Sequence, residues 1–148
     1  MSTSGTDSDF DVKVIDVFPG DYPDYNSAGT PAAAAAAGAV PMGGYQELIR
    51  GEPFRGKFRK SFEKPVAFVP NQPDRITFYL PDIAHTWRQG HRIMVQVQSS
   101  WFPLTDRNPQ TFTDIPTAQA EDFKKATEEI FHEKDAASGV EVLVMPQP

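Results

Sequence analysis

The chain has 148 residues, a net charge of -6 from 14 basic and 20 acidic residues, and no cysteine. One domain with a real core is the default at this length. Disulfides and thiolate metal sites are excluded, and general nucleic-acid binding is disfavoured because phosphate contacts need a basic excess.

Fourteen prolines and ten glycines predict frequent turns and few long helices. Mean hydropathy is -0.44, and no apolar run reaches the roughly 18 residues of a spanning helix. A soluble chain without a membrane partner is expected. Met1 to Gly5 has neither the basic nor the apolar region of a signal peptide, and the compartment stays open.

In chain order, Phe10 to Phe18 is rich in β-branched and aromatic residues and reads as a strand that becomes buried. Residues 26–42, with the alanine run Ala32 to Ala37, read as a loosely ordered loop between strands. Tyr45 to Gly51 and Phe54 to Phe58 look like strand pieces. Gly51, Pro53 and Gly56 interrupt them, as in a bulged edge strand. Lys64 to Pro73 is a proline-punctuated connection.

Asp74 to Leu80 alternates clearly and predicts a strand with Ile76, Phe78 and Leu80 on one face. Pro81 to Arg88 reads as a turn or short helix. His91 to Ser99 predicts a buried strand, with Ile93, Val95 and Val97 facing one way. Thr105 to Gln119 is a polar loop. Ala120 to Lys125 fits a short helix with Glu121 and Asp122 in its first turn, where the dipole favours them. Thr127 to Glu133 and Val140 to Met145 predict two final strands joined by a hairpin at Asp135 to Gly139. Many short strands at close spacing predict an all-β fold, a two-sheet β sandwich of jelly-roll type.

Several segments resemble one family. They are Gly5 to Phe10 continuing to Asp16-Val17, Gly44-Tyr45-Gln46 through Arg50-Gly51-Glu52, Arg55 to Arg59, Gly90-His91-Arg92-Ile93, Ser99 to Pro103, and Asp106-Arg107-Asn108. Together they resemble the C-terminal domain of the cocaine esterase-like hydrolases. That family also contains Xaa-Pro dipeptidyl-peptidases, α-amino acid ester hydrolases and glutaryl acylases. The resemblance implies a galactose-binding-like jelly roll over residues 1–148 that follows an α/β-hydrolase domain with a Ser-Asp-His triad. It also implies that one or two N-terminal strands are missing, because Met1 stands in mid-strand of the pattern. A triad of that kind needs a Gly-x-Ser-x-Gly elbow, which this sequence lacks.

The expected role is therefore a non-catalytic domain of a serine hydrolase acting on esters or peptide and amide bonds. Its partner would be the catalytic domain, in cis or in trans, and self-association of a sheet short of strands is expected. The alternatives are a stand-alone carbohydrate-binding module and the separate subunit of a split hydrolase.

Candidate interdomain contacts are Trp101, Phe102, Asp106, Arg107, Asn108, Arg50 and Arg55. Arginine can grip a carboxylate in bidentate fashion, asparagine can cap a turn, and aromatics anchor interfaces. Arg50, Arg55, Lys57, Arg59, Lys60 and Lys64 form a basic cluster that reads as a solvated edge, with Asp16 or Glu52 as pairing partners. Tyr45, Trp87, Trp101 and Phe102 could stack a sugar but read first as core or interface anchors.

Asp7, Asp9 and Asp11 alternate like the start of a calcium loop. Val12 and Phe18 occupy the positions that need glycine and glutamate, so solvated strand-start carboxylates are expected. His85, His91 and His132 have no nucleophile beside them in sequence. His91 reads as a structural histidine bonded to backbone or a carboxylate. No catalytic residue, cofactor or metal set is expected.

Overall fold

The structure is a computed structural model that describes residues 1–22 and 41–146. Most of the predicted loop at 26–42, including the alanine run, lies outside the described residues. Among the described residues there are five strands: β1 (Ser2–Thr3), β2 (Asp11–Val17), β3 (Gln46–Glu52), β4 (Arg92–Gln98) and β5 (Glu128–Glu129). Among the described residues the only helices are single 3₁₀ turns, at Gly56–Phe58, Ile115–Thr117 and Ala120–Asp122. The fold is all-β and antiparallel. Among the described residues no helix is long and apolar enough to cross a membrane.

The chain divides into two compact units. The first comprises residues 1–8, 57–77 and 108–148. In it β1 pairs with β5, Ser2 opposite Glu129 and Thr3 opposite Glu128. The Ser2 hydroxyl donates to Glu129 at 3.0 Å, and the Ser8 hydroxyl donates to Glu128. Phe68, Pro109 and Ile115 are among its buried apolar side chains.

The second unit comprises Asp9–Gly56 and Phe78–Arg107 and carries a three-stranded sheet in the order β3-β2-β4. Strand β2 is central and buried, with Val12, Val14, Ile15 and Val17 all under a tenth exposed. Burial on both faces explains why its apolar residues fill both parities. Phe10, fully buried, continues the pairing past the strand by exchanging backbone hydrogen bonds with Phe54, at 2.8 and 3.2 Å.

A β-bulge shapes the β2–β3 pair. Val14 lies opposite Arg50 while Ile15 lies opposite Leu48, so Ile49 is the extra residue. The sequence predicts a bulged edge strand here, and β3 is that strand. The irregularity falls at Ile49, however, and not at Gly51. Its consequence is a change of register: Asp16 faces Glu47, where an unbroken ladder would have placed Leu48.

Other expectations are corrected. Phe54 to Phe58 is not a strand: Arg55 makes only an isolated bridge to Asp9, and residues 56–58 tighten into a 3₁₀ turn. The stretch from Asp74 to Leu80 alternates in burial as predicted but has no strand ladder. Val140 to Met145 is likewise not a strand, and Leu143 is fully exposed. The predicted hairpin does not form, since the short β5 takes β1 as its partner. Strand β4 lies where it is predicted, yet Ile93 and Val95 are 63% and 43% exposed, so it is not buried.

Candidate functional site

Three structural elements converge on Asp16, near the end of β2. The turn at Gln89-Gly90 leads into β4 with Gly90 at φ +86°, a conformation that favours glycine. His91 follows directly. Its Nδ1 lies 2.9 Å from one Asp16 oxygen, with the ring almost fully buried. His85, from the irregular segment between Leu80 and the turn, places Nε2 2.9 Å from the other Asp16 oxygen. Asp16 itself is buried, and His85 is about one-fifth exposed. Glu47 faces Asp16 from β3.

Aromatic rings enclose this group. Phe18 packs against His91, Tyr22 and Tyr45, at centroid distances of 4.5, 4.7 and 5.6 Å. Trp87 stands edge-on to His85 at 4.7 Å. An apolar wall beside an ion-pairing carboxylate strengthens its interactions by lowering the local dielectric. Asp16, Glu47 and His85 each offer one ligand atom, and these atoms all lie within 4.8 Å of one another.

The predicted contact residues lie elsewhere. Trp101 packs the edge of its ring on Gly51, where any Cβ would collide with it, and Lys13 Nζ sits 4.1 Å from the ring centroid. Lys13 also donates to Gln98 at 2.6 Å. Phe102 is 59% exposed, with the Arg107 guanidinium 4.9 Å from its ring. Arg55 pairs with Asp9 at 3.4 Å and donates to the Asp106 carbonyl at 3.2 Å. Arg50 pairs with Glu52 at 3.7 Å. In the other unit, Asn108 accepts from the Gln110 backbone N–H at 2.8 Å and caps that turn.

These placements change three readings. The basic cluster is solvated only in part: Lys60 and Lys64 are exposed, but Lys57 is buried and donates to the Thr113 carbonyl at 2.9 Å. Arg59 and Lys60 both bind Asp74. Of the two predicted acidic partners, Glu52 pairs with Arg50, whereas Asp16 is held by histidines. Asp7, Asp9 and Asp11 are buried and not solvated.

The match to known proteins is extensive. The model of the X-Pro dipeptidyl-peptidase C-terminal non-catalytic domain matches residues 1–141. The chain belongs to this family.

The relatives are whole enzymes. Cocaine esterase of Rhodococcus sp. (strain MB1 Bresler) is 29% identical over 130 residues, which is 88% of this chain and 19% of that protein. An α-amino acid ester hydrolase of known structure superposes with a TM-score of 0.70 at 44% identity, over 84% of this chain and 18% of that one. An aminopeptidase from a marine sediment Thaumarchaeota archaeon gives 0.65 and 45%, over the same shares. The chain thus spans about one-fifth of the proteins it matches and corresponds to their non-catalytic C-terminal domain.

Within that domain, the sequence reads His91 as a structural histidine bonded to backbone or a carboxylate, and the partner is the carboxylate of Asp16. The same reading missed the Asp16–Glu47–His85 grouping. The like charges of Asp16 and Glu47 become neighbours only through the bulge at Ile49, and no spacing in the sequence announces that. The nearest signal was three ligand-type residues, Asp16 and Glu47 inside two predicted strands and His85 in the predicted turn that precedes a third.

Proposed function

We propose that this chain is the non-catalytic jelly-roll domain of a serine hydrolase that cleaves esters or peptide and amide bonds. It braces an α/β-hydrolase catalytic domain, in cis or in trans, and forms part of its pocket rim. The observation that carries this reading is the family match over residues 1–141, to enzymes of which the chain covers about one-fifth. The sequence offers no nucleophile elbow, so the attacking serine, its histidine and its carboxylate belong to the partner. Loops held by a rigid sheet are suited to such a rim. Phe102 and Arg107, exposed and in contact, supply an aromatic anchor and a cation of the kind enriched at interfaces.

An antibody against this chain and a fluorophosphonate probe test the proposal together. Source cells should show an immunoreactive polypeptide several times larger than 16.4 kDa that the probe labels, while the isolated chain stays unlabelled. A small immunoreactive chain that co-purifies with a larger labelled hydrolase supports the assembly in trans. Labelling of the isolated chain, or a small chain with no labelled companion, overturns the proposal.

A further inference from the structure

The geometry points to a binding site for a divalent transition-metal ion, zinc being the probe of choice, held by Asp16, Glu47 and His85. The inference stands independently of the hydrolase reading. Asp16 and Glu47 are directly opposed on adjacent strands, and like charges so placed are destabilising. The bulge at Ile49 creates that opposition where a regular ladder would have put Leu48 there. Among the described residues, the ion-pair partners of Asp16 are the two histidines. Each is a cation only when protonated.

The donor set identifies the class of ion. One imidazole nitrogen with two carboxylate oxygens suits zinc and its neighbours, whereas calcium and magnesium prefer oxygen alone. The His85 Nε2 and Asp16 Oδ2 atoms are 2.9 Å apart. Two donors at that separation, each about 2.0–2.1 Å from one ion, subtend roughly 90° there. Ligand atoms of all three residues lie within 4.8 Å of each other, while two donors on one such ion are at most about 4.2 Å apart. Closing that gap takes a small movement of Glu47, which is only half-buried.

His91 completes the arrangement from behind. It holds the other oxygen of Asp16 at 2.9 Å, the outer hydrogen bond that orients a ligating carboxylate. For the ion to replace the hydrogen between His85 and Asp16, a neutral His85 shifts its proton from Nε2 to Nδ1. The partial exposure of His85 leaves an entry path. Bound there, the ion would tie β2, β3 and the segment carrying His85 together.

The experiment is calorimetric titration of the full chain with zinc chloride, followed by X-ray absorption of the loaded protein. One zinc per chain is expected, with a shell of one imidazole nitrogen and oxygens, and no heat with calcium. Glu47→Gln and His85→Gln should each weaken binding at least about tenfold. His132→Gln should change nothing. Circular dichroism confirms that the variants fold. The absence of saturable zinc binding overturns the proposal, as does undiminished affinity in both variants. The absorption spectrum needs no variant, and an all-oxygen shell also overturns it.

Discussion

Among the described residues, Asp11 is the one whose chemistry is least satisfied. It is fully buried, and among the described residues neither carboxylate oxygen has a hydrogen-bond partner. Burial pushes its pKa up to about 6. The charge of Asp9 adds to the rise, while Lys13 and Arg55 oppose it. The folded state therefore holds a proton that the unfolded chain releases near pH 3.8. Stability from this group is complete below that value and is lost as the pH climbs through about 6. Asp11→Val removes the orphan acceptor and should stabilise the chain at neutral pH by about 1–3 kcal/mol. It should also flatten the decline between pH 4 and 6 in urea-unfolding free energies. A variant less stable than the parent at neutral pH would mean that the carboxylate has found a partner in solution.

At the scale of elements, a single side chain fastens a long stretch that has no regular structure. Arg59 follows the 3₁₀ turn at Gly56–Phe58. Its guanidinium binds Asp74 at 2.6 Å and donates to the Val66 and Ala67 carbonyls at 2.7 and 3.0 Å. It also lies 3.8 Å from the Phe68 ring centroid. Burial raises the Asp74 pKa, but hydrogen bonds from Arg59 and Lys60 outweigh it and hold the carboxyl below its ordinary value. The sign is opposite to that of Asp11. This stability is present above the unfolded value of 3.8 and is lost as the pH falls through the lower folded value. Arg59→Lys keeps the charge but loses the planar fork. It should cost about 1.5–3 kcal/mol and expose residues 60–73 to limited proteolysis. An unchanged urea midpoint and cleavage pattern would show that the fork is dispensable. The sequence made β2 and β4 readable as strands because their β-branched runs are bounded by turn residues, although the apolar face it expected β4 to bury lies in solvent. It misread Asp74 to Leu80, and Val140 to Met145, because neither apolar pattern names a pairing partner. Alternation decides which side of a chain is buried, whereas a ladder also needs a partner, and partners are set by long-range register. The candidate metal ligands escaped notice for the same reason, since a one-residue bulge brings Glu47 opposite Asp16.

For the whole molecule, the decisive property is apolar surface left in solvent. In the second unit Ile93, Val95, Phe102 and Leu104 are all more than two-fifths exposed. In the first, Val142, Leu143, Val144 and Met145 follow one another with 65–102% exposure. A β-prone apolar run with one neighbouring charge, Glu141, is the composition that pairs with another chain when nothing covers it. A domain that is buried against a catalytic partner can carry such surface at no cost, and one that stands in solvent cannot. The isolated chain should therefore bind a hydrophobic dye and associate as its concentration rises. Leu143→Lys tests this cleanly. The side chain makes no buried contact in the folded unit, so the melting temperature of dilute protein should stay unchanged. Sedimentation velocity should show association shifted to higher concentration. If parent and variant sediment alike as monomers at every concentration, these apolar residues do not drive assembly. If the variant instead melts early, the terminal run is packed in solution.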